Sequence, residues 1–339
     1  MADLIELSAA DLAAMLCSRV CHDLINPVGA IGNGLEVLAD PSQAAMFDGA
    51  QDLIANSAKH ARAKLEFARL AYGASSTSGT DIDTRECERV ARILFEIEKA
   101  DLEWNVPLIL LPKHKAKLFM NMLLIAAMSV PRGGQVTVVT FNQEDPESIR
   151  SLVDAVITQA GRIDIFVNAS RVIPQGGIGW LQSAEALEYS VRVNSAGLLY
   201  LNKLVGEQMI RQASGSMINI GSLMGMVGVE KHNYDGEPAM AAGAHGHDYS
   251  LNKSGVLAWT RHAASYYGQY GIRVNSLCPG GLRSDRTPER FCDNYARHTQ
   301  LGRLANDDDI KGPLLFLASD ASAYLTGLSI PVDGGYTCI

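Results

Sequence analysis

The run Arg273-Val274-Asn275-Ser276-Leu277-Cys278-Pro279 is a short apolar stretch closed by proline and by Gly280 and Gly281. That texture reads as a buried strand stopped by turn residues. Two similar runs lie upstream, IDIFVNA at 163–169 and SMINIGS at 216–222. Helical patterns at 146–160, 184–212 and 250–270 surround and separate these runs, and a further strand is expected at 135–141. Strands alternating with helices predict a parallel sheet with flanking helices from about residue 139 onward.

The front of the chain has a different texture. Leu16, Val20, Leu24, Val28, Ile31, Leu35 and Leu38 recur at spacings of three and four, which predicts one buried helical stripe. Leu53, Ile54, Ala61, Leu65 and Ala68 repeat the pattern after Asp40-Pro41, where proline opens a second helix. Two such helices form an α-hairpin, and a hairpin of this kind buries its remaining apolar surface by dimerising into a four-helix bundle. The Gly/Ser-rich segment 71–81 reads as a linker. Beyond it, helix 84–99, a strand near 101–110 and helix 113–129 are expected. The fold class is therefore an α + α/β mosaic. Its expected domains are a hairpin at 1–73, a mixed segment at 82–138 and a sheet domain at 139–339.

Bulk properties narrow the partners. The 339 residues carry a net charge of -8, which argues against nucleic acid. No apolar run approaches the ~20 residues needed to span a bilayer, so no membrane role is expected. The acidic start lacks the positive n-region of an export signal, and a reduced cytoplasm is expected. The six cysteines (Cys17, Cys21, Cys87, Cys278, Cys292, Cys338) form no zinc spacing. Cys17 and Cys21 sit in the apolar stripe and read as buried thiols. The stretch 230–247 reads as an inserted active-site flap, and His232, His245, His247 and Asp248 read as a disordered polar loop with no metal.

Two constellations carry chemistry. In Cys21-His22-Asp23-Leu24-Ile25-Asn26-Pro27, His22 falls about 200° around the helix from both Val20 and Leu24, off the apolar stripe. An exposed neutral imidazole can accept a phosphoryl group, and the Asp23 carboxylate can orient it. Gly29, Gly32 and Gly34 imitate a nucleotide loop, but no buried strand precedes them and the spacing is wrong. In the second constellation, Lys253 stands one helical turn after Tyr249, where its ammonium favours tyrosinate. Such acid–base participation contributes about 10²–10⁴ in rate.

Both halves resemble known families. The stretches at 16–38, 57–75 and 110–134 resemble bacterial histidine phosphotransferases of the ChpT type. The H-box is intact at His22, Asp23, Asn26 and Pro27. That resemblance implies a dimer, phosphorelay through His22, receiver domains as partners and a degenerate kinase-like segment at 82–138. Asn121 is present, but Ile125 stands where a second Mg²⁺-holding Asn would be, so ATP is not expected. From about 139 the chain resembles the short-chain dehydrogenase/reductase family, a Rossmann-like fold. The shared motifs are Val167-Asn168-Ala169-Ser170, Asn194, Ser222, Tyr249-x-x-x-Lys253, Pro279-Gly280-Gly281 and Val332-Asp333-Gly334-Gly335. It implies catalysis by Asn194, Ser222, Tyr249 and Lys253 on a secondary alcohol or carbonyl. It also implies NAD or NADP held by Asn168, Ala169, Tyr249, Lys253, Pro279 and Gly280.

The sheet is truncated. No glycine occurs between Gly79 and Gly133, so no turn precedes it that could admit a pyrophosphate. Asn142 stands at the adenine-contacting acid. Strand 101–110, helix 113–129 and strand 135–141 are expected to dock beside the sheet as a substitute βαβ unit. Three readings follow: a phosphorelay module with its phosphoacceptor complete, an oxidoreductase with half its cofactor site, or a mosaic of gene pieces without joint function.

Overall fold

The computed structural model describes residues 9–72, 81–130, 132–175, 181–236, 247–283 and 287–339. The chain divides into two compact units, Met1–Thr140 and Phe141–Ile339. Among the described residues, no helix is long and apolar enough to cross a membrane.

In the first unit, α1 (Ala9–Ala39) runs through Pro27 without ending. Pro41 opens a 3₁₀ turn, Pro41–Met46, capped by the Asp40 carboxylate accepting from the Ser42 amide at 2.9 Å. Helix α2 (Phe47–Ala71) follows and packs along α1. The expected linker at 71–81 falls mostly outside the described residues. Then come β1 (Ile82–Asp83), α3 (Thr84–Phe95), β2 (Ala100–Asn105), β3 (Leu110–Leu111), α4 (Lys113–Ser129) and β4 (Gly134–Val139). Phe67, Val90, Leu94, Met120 and Leu123 form their common core.

Several expectations change here. The strand expected near 101–110 breaks at Pro107, which has no amide hydrogen to donate. Leu110–Leu111 pairs antiparallel with Ile82–Asp83 instead. Strands β2 and β4 flank α4 in sequence and pair with each other in parallel; among the described residues they form a two-stranded sheet of their own. Helix α3 stops at Phe95, short of residue 99. Cys21 is exposed, not buried, and so are Val28 and Leu35 of the expected stripe. A two-helix hairpin buries only the flank facing its partner helix, so part of a wide stripe stays in solvent.

The second unit contains α5 (Pro146–Ala160), β5 (Ile165–Asn168), α6 (Ala184–Val191), α7 (Leu198–Gln212), β6 (Gly215–Ile220) and α8 (His247–Tyr267). It ends with β7 (Ile272–Pro279), α9 (Glu289–Ala296), α10 (Asp307–Ala318) and β8 (Ser329–Val332). The sheet is parallel in the order β5-β6-β7-β8. Alternation along the strands divides the core between two faces. Met217 and Val274 pack with Val205, Met209 and Tyr267, whereas Ile218 and Leu277 pack with Leu317. Helices α6 and α7 are one run widened by a π turn at Arg192–Gly197. Gly197 is required there, because a Cβ would lie 2.2 Å from the Gln143 carbonyl oxygen. The loop expected to be disordered is partly built: Lys231–Tyr234 forms a 3₁₀ turn with Asn233 and Tyr234 buried, while 237–246 lies outside the described residues.

The glycines that imitate a nucleotide loop all lie inside α1. Gly34 is a packing glycine, since a Cβ would meet Ile54 Cγ1 at 2.6 Å and the Ala50 carbonyl at 3.1 Å. Gly29 has nothing within 4 Å. Gly29→Ala is therefore expected to raise stability by about 0.5–1 kcal/mol through helix propensity. Gly34→Ala is expected to lower it by about 1–3 kcal/mol through overpacking. Urea midpoints of the far-ultraviolet signal check the opposite signs.

Candidate functional site

The first site is on α1. The His22 side chain is 77% exposed, and its Nδ1 lies 3.3 Å from Asp23 Oδ1. When that nitrogen carries the proton, Nε2 keeps its lone pair and faces solvent. Asn121, the asparagine a kinase would use for Mg²⁺, donates from Nδ2 to the Lys117 carbonyl at 2.9 Å. Its amide is turned into its own helix.

The second site lies at the carboxyl ends of the parallel strands, where open α/β sheets place their ligands. Tyr249 and Lys253 stand on α8 and line one cleft with Asn194 and Ser170. Lys253 Nζ donates to the Ile220 carbonyl at 2.7 Å and lies 6.0 Å from the centre of the Tyr249 ring. Burial, then the nearby positive charge of Arg171, pushes its pKa down to about 8. Ser222 is buried beyond the end of β6, where its Oγ accepts from the Met224 amide at 3.1 Å. It is not among the residues lining the cleft. Asn194 lies in the π turn, a distortion that recurs at functional sites. Its Oδ1 accepts from the Val172 amide at 2.7 Å, and its Nδ2 donates to the Val172 carbonyl at 2.8 Å. The side chain thus clamps the segment after β5.

Four residues absent from the motif reading organise this cleft. Ser190 is fully buried and donates its hydroxyl hydrogen to the Asp248 carboxylate in a short bond. Its Oγ accepts from Asn194 Nδ2 and Asn252 Nδ2, each at 3.0 Å. Asn252 Oδ1 in turn accepts from Ser195 Oγ at 2.5 Å. Asp248 and Asn252 immediately precede Tyr249 and Lys253, so this network ties the reactive helix to the π turn. The fourth residue, Arg171, lays its guanidinium 4.2 Å from the Tyr249 ring centre. In the sequence, Asp248 and Asn252 stand beside and inside the Tyr249–Lys253 motif as polar residues, whereas Ser190 and Arg171 lie far from it and gave no signal.

The implied dinucleotide site meets a different arrangement. Asn168 Oδ1 accepts from the Ser170 amide at 3.2 Å and from its hydroxyl at 2.6 Å, while the buried Asn168 Nδ2 has no partner. Ala169 is exposed beside it. Among the described residues nothing pairs with the outer edge of β5, where Ile165 and Val167 are 50% and 39% exposed. Asn142 Oδ1 accepts from the Glu144 amide at 3.1 Å. The N-terminus of α5 is held by the Asp145 carboxylate, which accepts from Glu147 N at 2.9 Å, and that of α6 by Ser183. Beyond Pro279, Gly280 donates to the Val332 carbonyl at 2.9 Å, and a Cβ there would meet Asp333 Cα at the same distance. That glycine closes β7 against β8. The cleft over Tyr249 encloses about 10 Å³, roughly room for one water. These residues do not fit a bound dinucleotide: among the described residues no glycine-opened helix start is available for its diphosphate, and the Arg171 guanidinium carbon lies 4.2 Å from the centre of the phenol ring. Among the described residues no group of three His, Cys, Asp or Glu could hold a metal ion.

A parallel sheet presenting Tyr-x-x-x-Lys at its carboxyl edge, preceded by a helical hairpin with an exposed histidine, defines a two-part protein. A family model described as enoyl-(acyl carrier protein) reductase matches residues 124–337. The protein phosphotransferase ChpT of Brucella abortus is 48% identical over 160 residues, 47% of this chain and 72% of that protein. The 3-oxoacyl-[acyl-carrier-protein] reductase FabG of Thermotoga maritima is 29% identical over 205 residues, 60% of this chain and 77% of that protein. A crystal structure of a short-chain dehydrogenase from Leptospira borgpetersenii with bound NAD+ is 23% identical. It covers 71% of this chain and 93% of its own, with a TM-score of 0.56, and so shares the fold. The chain belongs to the short-chain dehydrogenase/reductase family, and its N-terminal region belongs with the ChpT phosphotransferases. Only 123 residues precede position 124, so the two matches share the stretch around the junction.

Ser190→Ala removes the hydroxyl shared by Asp248, Asn194 and Asn252, and is expected to cost about 1–3 kcal/mol in thermal unfolding. A double-mutant cycle with Asp248→Asn should give coupling of about 0.5–3 kcal/mol. Lys253 supplies a pH test. Its folded pKa of about 8 lies below the ordinary 10.5, so folding opposes its ionisation. The penalty is absent above pH 10.5, grows as pH falls toward about 8, and is complete below that. Lys253→Met is therefore expected to gain stability relative to the parent over that window; a pH-independent difference in melting temperature contradicts it.

Proposed function

We propose that this protein passes phosphoryl groups through His22 in a two-component phosphorelay, with response-regulator receiver domains as partners. The observation that carries the reading is the exposed His22 imidazole beside Asp23 in an intact H-box. In the transfer, Nε2 attacks the phosphorus of a receiver aspartyl phosphate in line. The new N–P bond forms as the acyl P–O bond breaks, and the receiver carboxylate leaves with the electron pair. Asp23, next to Nδ1, holds the ring orientation and stabilises the charge that develops on it. ATP has no part in this chemistry.

In this reading the hairpin at 1–73 dimerises through its solvent-facing apolar flank, which includes Ile25, Val28 and Leu35. The segment 82–138 is a degenerate kinase-like remnant, and 139–339 is a truncated dehydrogenase domain. The protein acts in the cytoplasm as a homodimer or higher homo-oligomer.

A second reading is favoured by one observation: Tyr249, Lys253 and Asn194 line a single cleft. On it, the second unit handles a secondary alcohol or carbonyl, with Tyr249 as the proton-transferring group, Lys253 tuning it, and Ser222 assisting. NAD or NADP is the cofactor that family relatives imply, and the described residues of the second unit offer its diphosphate no glycine-opened helix start. Phosphotransfer is therefore the activity for which this chain retains all its own parts.

Incubation with a phosphorylated receiver domain is expected to label the protein with an acid-labile phosphoryl group. His22→Ala should abolish labelling, whereas His60→Ala should leave it intact. Labelling that persists in His22→Ala removes the proposal.

A further inference from the structure

We propose that Asn294 is a positioning residue that latches the segment 229–236 over Tyr249, so that its release opens the reactive helix to a ligand. The proposal rests on the second reading only in taking Tyr249 as the group to be reached.

The cleft that Tyr249 lines encloses about 10 Å³, room for about one water. A ligand therefore reaches the phenol only if a neighbouring element moves. Tyr249 also packs against a cluster built by Met224, Cys292 and Tyr295, which Phe291 and Tyr336 join. None of these five lines the cleft. The segment 229–236 is fastened to this cluster. Tyr234 is buried, with its ring centre 5.2 Å from that of Phe291. Burial, then the nearby phenols of Tyr336 and Tyr249, pushes its pKa up to about 12. The three tyrosines thus share one apolar space.

The fastening is polar and concentrated on α9. Asn294 donates from Nδ2 to the Asn233 carbonyl at 3.3 Å and to the Asp235 carbonyl at 3.1 Å. One side-chain amide holds both carbonyls, so a single rotation of Asn294 frees them together. Asn233 is fully buried, and its Nδ2 donates to Tyr336 Oη at 3.0 Å. The Arg290 guanidinium lies against Gly236 and leaves no room for a Cβ there.

The ends of the segment suit a swing. Its base is fixed on α8, where Ser254 Oγ donates to the Gly225 carbonyl at 3.1 Å. Three residues later Gly228 has nothing within 4 Å, and Met226, Val227 and Val229 are exposed. At the other end, Gly236 has φ +81°, a conformation that side chains resist and glycine accepts. A held base and two glycines that absorb backbone rotation are the parts of a hinged cover.

The test is hydrogen–deuterium exchange of the full chain, read by mass spectrometry, together with hydroxyl-radical footprinting at Tyr249. Asn294→Ala is expected to speed exchange of the amides at 231–236 by about tenfold, as two lost hydrogen bonds imply. The amides of β6 and β7 should keep the parent rates, and oxidation of Tyr249 should rise severalfold. Tyr336→Phe keeps the ring and removes the Asn233 acceptor, so a smaller acceleration is expected, confined to the same amides. Unchanged exchange at 231–236 in Asn294→Ala overturns the proposal. Acceleration that spreads to β6 and β7 also overturns it, because that is loss of the fold and not release of a latch. So does faster exchange at 231–236 with Tyr249 oxidation unchanged, since the segment would then not cover the phenol. Neither readout involves a cofactor. Absence of turnover with NAD or NADP removes the second reading and leaves the latch standing; turnover with unchanged exchange in Asn294→Ala does the reverse.

Discussion

The ladder between β6 and β7 sets what the second unit can present to a ligand. Six residues of each strand pair in parallel register, from Gly215 with Ile272 to Ile220 with Leu277. A parallel ladder aligns the carboxyl ends of its strands, so the segments after them emerge at one edge. Ser222, the Pro279-Gly280 turn and, across β5, the Asn168–Ser170 turn all reach that edge for this reason. Helix α8 then lays Tyr249 and Lys253 beside them, its start tied down by Ser190 through Asp248 and Asn252. Position, not residue type alone, makes a tyrosine and a lysine a candidate acid–base pair.

The same requirement explains what the unit lacks. A parallel strand buried within a sheet has partners on both edges, yet β5 has one only on its β6 side among the described residues. The half-exposed Ile165 and Val167 and the unpartnered Asn168 amide all lie on this strand. The resemblance to the dehydrogenase family implies an opening strand whose glycine-rich turn cradles a diphosphate, and among the described residues no such strand lies on the outer edge of β5. Strands β2 and β4 form a parallel pair with a helix between them, but they satisfy each other. The first unit is chemically simpler, since its proposed reaction needs an exposed nucleophilic nitrogen and a partner that brings the phosphoryl group.

Much of this was legible in the residues because it is local or periodic. Tyr249 and Lys253 are one helical turn apart, and the spacing alone places them on one side of α8. The H-box puts His22 off the apolar stripe by angle, and it is exposed. What escaped depends on contacts remote in sequence or on how many neighbours an element has. Ser190 meets Asp248 across 58 positions, and a lone serine in a helix announces nothing. Arg171 reaches Tyr249 only through the turn made by Asn168. The π turn at Arg192–Gly197 is invisible to a pattern that stays helical on either side. Cys21 read as buried because an apolar stripe shows which side prefers cover, not whether one partner helix covers all of it.

The chain keeps Tyr249 and Lys253, the candidate proton-handling pair of a dehydrogenase, while its described residues offer no glycine-opened helix start to seat the dinucleotide. Fluorescence titration of the full chain with NADH and NADPH tests it most directly. The structure predicts a linear signal with no saturable component up to millimolar concentration. A saturable enhancement that is lost in Lys253→Met would contradict it.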